Sequence, residues 1–189
     1  MITVVSGLPR SGTSLTMQML RAGGMEVLTD FERKPDDDNP RGYFEWEPAK
    51  RLPKEPELID RAEGKAVKII SQLLMSLPKS RKYKVIFMQR GFTELLASQD
   101  LMLRRRRQLD DIAPEVMTKA FTDHLALVDK WLRGRPDIAV HKQNYRGIIE
   151  SPRIVAKEIQ EFLEIDLDTE AMIAEVDPLL YRNRRSEPS

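Results

Sequence analysis

The chain has no cysteine, few aromatic residues and almost no excess of charge of either sign. Only 6% of its 189 residues are aromatic, and 31 lysines and arginines stand against 30 acids, a net charge of +1. The absence of cysteine excludes a disulfide scaffold, thiolate catalysis and zinc or iron–sulfur sites with sulfur ligands. The even charge balance argues against a nucleic-acid coat or a membrane-surface binder. No apolar run approaches the ~20 residues of a membrane span, and residues 2–5 indicate a strand rather than a secretion leader. We therefore expect a cytoplasmic protein that binds no nucleic acid.

What the chain does contain is the composition of a globular protein, with 41% hydrophobic and 32% charged residues. Its length predicts one domain over residues 1–189, because domains commonly run to roughly 100–200 residues. A chain of this size buries around 70% of the surface that it exposes when unfolded, which is enough for a substantial core. The last residues, from about 177 onward, are expected to form a flexible tail.

Short β-branched runs alternate with longer amphipathic segments along the chain. Strands are predicted at residues 2–6, 66–70, 84–88 and 138–140, and helices at 13–22, at 93–108, from Pro114 onward and from Pro152 onward. Strands that alternate with helices form βαβ units around a parallel sheet. We therefore predict an α/β fold, a three-layer sandwich with a mostly parallel central sheet.

The strongest local signal is the segment VVSGLPRSGTSL at residues 4–15. Between a strand and a helix, Gly7 and Gly12 enclose four residues, which is the spacing of the phosphate-binding P-loop. The backbone N–H groups of a P-loop surround an anion. Thr13 occupies the position of the P-loop lysine, and a cation appears earlier, at Arg10. The fold is therefore expected to be like that of the P-loop nucleoside-triphosphate hydrolases, with a changed arrangement of charge.

The strand at residues 84–88 lacks the aspartate that would hold magnesium in a nucleotide triphosphatase. It continues instead into Gln89 and Arg90, and an arginine there would repel a metal ion. The residues predict a site in which cations and backbone amides hold an anion without a metal.

Three segments together resemble the sulfotransferase family that uses 3′-phosphoadenosine 5′-phosphosulfate (PAPS), in a small, bacterial-type form. The segment PRSGTS at residues 9–14 is similar to the family's 5′-phosphosulfate loop, and Arg90 followed eight residues later by Ser98 is similar to its 3′-phosphate motif. A looser match runs from Tyr145 through Pro152 to Phe162 and Leu163. The resemblance implies a sulfotransferase that moves a sulfuryl group from PAPS to a hydroxyl or amine acceptor.

The resemblance also implies roles for individual residues. Arg10 would stabilise the departing phosphate oxygen, Arg90 and Ser98 would hold the 3′-phosphate, and Arg182 would return to it from the C-terminal segment. The 5′ end of the donor would bind the loop residues Pro9, Arg10, Ser11, Gly12, Thr13 and Ser14. Lys68, near the end of a strand, would reach toward the sulfuryl group or else be an ordinary lysine at the sheet edge.

The group that accepts the acceptor's proton is less clearly marked. Some family members use a histidine shortly after the strand lysine, but this chain reads Lys68-Ile-Ile. Carboxylates remain, and Glu45 is preferred because the preceding Tyr43 and Phe44 could anchor it, with Asp30 as the second candidate. His124 lies on the apolar stripe of its helix and is interpreted as a core histidine.

Other interpretations of the same residues stay open. Arg90 could simply pair with Glu94 while Ser98 is an ordinary helix residue. The whole protein could be a P-loop nucleotide or small-molecule kinase, or a binder of phosphoadenosine nucleotides that catalyses nothing. The identity of the acceptor and the oligomeric state cannot be read from the chain, because acceptor pockets are built from loops without a motif.

Overall fold

The computed structural model describes residues 1–30, 32–36, 39, 41–105 and 113–177. Across these residues, five parallel strands form one sheet in the order β2-β3-β1-β4-β5. The strands are β1 (Ile2–Gly7), β2 (Val27–Leu28), β3 (Ala66–Lys68), β4 (Tyr83–Gln89) and β5 (Ile138–Asn144). The predicted α/β architecture with a parallel central sheet is confirmed.

Helices cover both faces of this sheet. They are α1 (Thr13–Ala22), α2 (Ser71–Leu74), α3 (Phe92–Arg105), α4 (Pro114–Arg133), α5 (Tyr145–Glu150), α6 (Pro152–Leu163) and α7 (Thr169–Ala174), with 3₁₀ helices at Glu47–Arg51 and Pro56–Ala62. No helix in the described part of the chain is both long enough and apolar enough to cross a membrane.

Alternate residues of β1 face two separate cores, as the two-residue period of a strand requires. Ile2 and Val4 pack in a cluster with Val128 and Leu132 of α4. Val5 packs on the opposite face, in a cluster that holds the buried residues Met17, Met19 and Leu20 of α1 and Val155, Ala156, Ile159 and Leu163 of α6. Helix, sheet and helix thus form the predicted three layers.

The predicted strand ends differ from the observed ones in ways that the backbone explains. Strand β5 runs on to Asn144, beyond the predicted end at residue 140, and its polar residues 141–144 continue the ladder with β4. A ladder is built from backbone groups, so a side-chain pattern does not mark its end. Strand β3 ends at Lys68, before the predicted residue 70, and α2 begins at Ser71. The predicted helix at 93–108 is observed from Phe92 to Arg105, and residues 106–108 lie outside the described residues.

The strand register brings the ends of four strands to one edge of the sheet. Gly7 of β1 pairs with Met88 of β4, and Val5 pairs with Lys68 of β3. Gln89 at the end of β4 pairs with Asn144 at the end of β5. The segments that follow these strands therefore lie together at the carboxyl edge, where ligands bind in open α/β sheets.

Candidate functional site

A tight loop joins β1 to α1 at the centre of this edge. Arg10 (φ 70°) and Gly12 (φ 103°) both have left-handed backbone conformations there. Gly12 is the N-cap of α1 and provides no side-chain cap. A Cβ atom on Gly12 would lie 2.4 Å from Cδ2 of Tyr145, so only glycine fits. The loop thus presents the uncapped first turn of α1, a favourable place for an anion.

The structure brings Arg10, Arg90 and Ser98 together. Nε of Arg10 donates to Oγ of Ser98 at 3.0 Å. Nη1 of Arg90 donates to the carbonyl oxygen of Arg10 at 3.1 Å. Arg10 follows β1, Arg90 follows β4 and Ser98 lies on α3, so three segments that are distant in the sequence meet at one place. The two guanidinium groups therefore belong to one cluster.

Arg90 also makes the contact that the simpler interpretation expected. Its Nε donates to Oε2 of Glu94 at 3.1 Å, with side-chain exposures of 9% and 17%. Ser98, however, is 3% exposed and accepts the hydrogen bond from Arg10. The hydroxyl of Ser98 thus joins α3 to the loop, and the ion pair with Glu94 orients Arg90 within the cluster.

The ring of Tyr145 packs against both the loop and Arg90. The guanidinium carbon of Arg90 lies 4.5 Å from the centre of the Tyr145 ring. The ring, 9% exposed, also makes the close contact with Gly12. Burial raises the pKa of the Tyr145 phenol, and the positive charges of Arg90 and Arg10 partly oppose this shift. Tyr145 is therefore neutral at ordinary pH and provides a flat, uncharged surface for the arginine.

A serine hydroxyl in the loop is left without a partner. Ser11 is 1% exposed, and its Oγ has no hydrogen-bond partner in the described structure. Leaving a buried hydroxyl unsatisfied costs about 1–3 kcal/mol. Such a group fits a loop that completes its hydrogen bonds with a bound anion.

Lys68 extends from the end of β3 to the other side of the loop. Its Nζ donates to the carbonyl oxygen of Tyr43 at 3.0 Å and to Oγ of Ser14 at 3.2 Å. Oε1 of Glu45 lies 3.9 Å away, and the lysine side chain is 8% exposed. Burial lowers the pKa of Lys68 to about 8; the charge of Glu45 raises it, while Arg33 and Arg10 lower it further. Lys68 is thus a buried cation beside the first turn of α1.

Glu45 lies at the outer side of Lys68. Its Oε1 accepts a hydrogen bond from Nη1 of Arg33 at 2.7 Å. Tyr43 and Phe44, the aromatic pair expected to anchor it, are 5% and 6% exposed. Phe44 has a left-handed backbone (φ 54°), a strained conformation for a bulky residue. The two buried rings therefore fix the backbone beside Glu45, whose carboxylate lies near Lys68.

Asp30, the second predicted base, and His124 both have partners in the described structure. Asp30 accepts backbone N–H groups with both carboxylate oxygens, from Glu32 at 3.1 Å and from Glu47 at 2.5 Å. Nε2 of His124 lies 2.9 Å from Oγ of Ser71, and burial lowers the pKa of this histidine. These contacts agree with a structural carboxylate and a core histidine.

Sequence reasoning did not single out Arg33, although the structure places it at the site. Its Cζ lies 3.2 Å from the centre of the Tyr43 ring, in addition to the pair with Glu45. No motif surrounds this residue in the chain. The one available signal was its position in the same segment as Glu45. Arg182, the predicted C-terminal contact, lies outside the described residues. Within the described ranges, no three His, Cys, Asp or Glu side chains are grouped as metal ligands would be.

Comparison with known proteins identifies the family. The family model described as "Sulfotransferase domain" matches residues 2–189, so the chain belongs to the sulfotransferase domain family. A solved structure, "Sulfotransferase Domain from the Curacin Biosynthetic Pathway", is similar in fold with a TM-score of 0.53 and 13% identity, over 99% of this chain and 92% of that one. The comparison with curated proteins gives no match. Family membership supports sulfotransferase activity and makes the protein a transferase.

Proposed function

We propose that the protein acts as a single cytoplasmic domain that transfers a sulfuryl group from PAPS to a hydroxyl or amine acceptor. The observation that supports this most directly is the cluster of Arg10, Arg90 and Ser98. PAPS carries a phosphosulfate at one end and a 3′-phosphate at the other, so its binding requires cations from two segments. The ends of β1 and β4 supply them.

The loop and the two arginines take different parts of the donor in this proposal. Pro9, Ser11, Gly12, Thr13 and Ser14 surround the 5′-phosphosulfate with backbone N–H groups and hydroxyls. The hydroxyl of Ser11, buried without a partner in the described structure, gains one from the anion. Arg90 and Ser98 bind the 3′-phosphate, with Arg182 as a further cation from the C-terminal segment.

Transfer begins when the acceptor oxygen or nitrogen attacks the sulfur atom in line with the bridging oxygen of the donor. A new bond to sulfur forms while the bond from sulfur to the bridging oxygen breaks. The electron pair of the broken bond stays on the 5′-phosphate of the leaving adenosine 3′,5′-bisphosphate, where Arg10 stabilises it. Lys68 lies beside the transferring group, and Glu45 takes the acceptor's proton, with Asp30 as the second candidate.

Calorimetry with adenosine 3′,5′-bisphosphate and with ATP–magnesium tests the donor assignment. We expect the bisphosphate to bind more tightly and the Arg90→Ala variant to lose roughly 10- to 100-fold in affinity, since a charged hydrogen bond contributes about 1.5–3 kcal/mol. Arg153→Ala is the matched control, because Arg153 is an exposed arginine of α6 paired with Glu170. It should bind like the wild type.

Three results would count against this function. Tighter binding of ATP–magnesium would favour a kinase of the P-loop type, and indifference to Arg90→Ala would remove the 3′-phosphate site. Tight binding of the bisphosphate, combined with no transfer of labelled sulfate to any acceptor, would favour a binder without catalysis.

A further inference from the structure

We propose that the acceptor carries an anionic oxygen group, a carboxylate or a phosphate, beside its nucleophile, and that Arg33 binds this group. The inference rests on the proposed function and specifies its acceptor class. Arg33 is not part of the donor motifs, and its side chain pairs with Glu45.

Two contacts hold the guanidinium of Arg33 in one orientation. Its Nη1 donates to Oε1 of Glu45 at 2.7 Å, and its Cζ lies 3.2 Å from the centre of the Tyr43 ring. Tyr43 is itself fixed, because its hydroxyl donates to Asp36 at 2.6 Å and its carbonyl oxygen accepts from Lys68 at 3.0 Å. Arg33 is therefore preorganised and would lose little conformational freedom when it binds a ligand.

Part of this guanidinium remains available. Of the three guanidinium nitrogens of Arg33, only Nη1 has a hydrogen-bond partner in the described part of the chain. Nε and Nη2 can therefore donate to a ligand. The side chain is 32% exposed, whereas that of Lys68 is 8% exposed. The planar fork of an arginine matches the two oxygens of a carboxylate or phosphate. An anionic oxygen group thus suits the donors that Arg33 still offers.

The position of Arg33 relative to the reaction indicates that its ligand is the acceptor. Oε1 of Glu45 lies 2.7 Å from Nη1 of Arg33 and 3.9 Å from Nζ of Lys68. Lys68 lies on the loop side, where it contacts Ser14. An acceptor that gives its proton to Glu45 then lies next to Arg33, which pairs with that carboxylate and is 32% exposed.

The charges around Glu45 favour an additional anion. Arg33 and Arg10 both lower the pKa of Lys68, so each lies close enough to repel it, while Glu45 raises that pKa. Nearby acids have other partners: Asp30 accepts backbone N–H groups, and Glu47 pairs with Lys50. An anionic group on the acceptor would reduce this repulsion, whereas a neutral acceptor would not.

Pairs of acceptors that differ only in the anionic group test the inference. Suitable pairs are 4-hydroxyphenylacetate with its amide, glucuronate with glucose, and glucosamine 6-phosphate with glucosamine. Each is titrated into the enzyme saturated with adenosine 3′,5′-bisphosphate, and sulfate transfer from labelled PAPS is measured in parallel. The proteins are the wild type, Arg33→Gln, Arg33→Lys and the control Arg81→Gln, an exposed arginine paired with Asp60.

We expect the wild type to bind the anionic member of at least one pair roughly 10- to 100-fold more tightly, as for other charge-assisted hydrogen bonds. Arg33→Gln should remove this preference, Arg33→Lys should keep part of it, and Arg81→Gln should leave it unchanged. Binding of the bisphosphate should be equal in all four proteins.

Equal binding of both members in every pair would overturn the inference. So would an Arg33→Gln variant that keeps the preference, or one that slows transfer to both members equally, since Arg33 would then only position Glu45. Failure of the wild type to bind the bisphosphate would count against the proposed function instead. Failure of the inference about Arg33 and failure of the proposed function are therefore distinguishable.

Discussion

The two halves of the candidate site are built in different ways. The proposed donor half, with Arg10 and Arg90, stands on neighbouring strands, and β1 and β4 are paired residue by residue from Ile2–Tyr83 to Gly7–Met88. The acceptor half, with Glu45 and Arg33, stands on an irregular segment whose only strand is the two-residue β2 in the described part of the chain. Arg90 is 9% exposed and Arg33 is 32% exposed. The proposed donor half therefore depends on backbone register, whereas the proposed acceptor half depends on side-chain contacts, among them the buried rings of Tyr43 and Phe44.

The largest effect on sulfate transfer is expected within the proposed acceptor half, where the carboxylates of Glu45 and Asp30 have different surroundings. Glu45→Gln should reduce sulfate transfer about 10²- to 10⁴-fold, the range typical of removing a general base. Asp30→Asn should reduce it less than about threefold, because both oxygens of Asp30 already accept backbone N–H groups. The rate of labelled sulfate transfer is measured for both variants with the best acceptor among the three acceptor pairs named above. Equal losses in the two variants would contradict the assignment of Glu45.

The next effect tests the dependence of the donor half on close backbone packing. Gly12→Ala combines a left-handed φ of 103° with a Cβ atom 2.4 Å from Tyr145. We expect a loss of roughly 2–4 kcal/mol in the free energy of unfolding and weaker binding of adenosine 3′,5′-bisphosphate.

Gly24→Ala is the matched control for this variant. Gly24 has a similar φ of 95°, but a Cβ atom there meets nothing within 4 Å. It should show only the backbone strain, about 1–2 kcal/mol, with unchanged bisphosphate binding. Urea unfolding and calorimetry measure both variants. If Gly12→Ala and Gly24→Ala show the same free energy of unfolding and the same bisphosphate affinity, the contact between the loop and Tyr145 contributes to neither.

The smallest effect concerns Lys68, at the boundary between the two halves. Its pKa falls from 10.5 to about 8 on folding, chiefly through burial. Between these values the unfolded chain binds more protons, so stability rises with pH. The free energy of unfolding of the wild type, relative to Lys68→Met, should rise by ~2 kcal/mol from pH 7.5 to pH 9.5.

Urea unfolding at several pH values measures this dependence. Lys82→Met, at an exposed lysine, gives the baseline for removing one positive charge. A difference between wild type and Lys68→Met that stays constant with pH would show that Lys68 remains charged throughout and is less buried in solution than in the structure.

The donor half was largely predictable from the sequence because its signals are local. Helix α1 spans Thr13–Ala22 as predicted, between a glycine-rich loop and Gly23. The four predicted strands are all present, and parallel strands place the segments after them at one edge. The resemblance assigned Arg10 and Ser98 to opposite ends of the donor, so the direct hydrogen bond between them was not predicted.

The rest depended on contacts that leave no local pattern. Strand β2 (Val27–Leu28) is too short for a periodic signal, and the short helices α2, α5 and α7 were not predicted for the same reason. The contact of Tyr145 with Gly12 joins residues far apart in the chain. Arg33 carries no motif, and only the folded segment reveals its stacking on Tyr43 and its pair with Glu45.

The hydrogen bond from Arg90 to the carbonyl oxygen of Arg10 has a consequence for protein engineering. It ties the end of β4 to the backbone of the loop after β1, so the two segments form one mechanical unit. A loop lengthened by one residue would move this carbonyl away from Arg90, even if its own side chains were well chosen. Redesign of the loop in this scaffold therefore requires the two segments to be exchanged together.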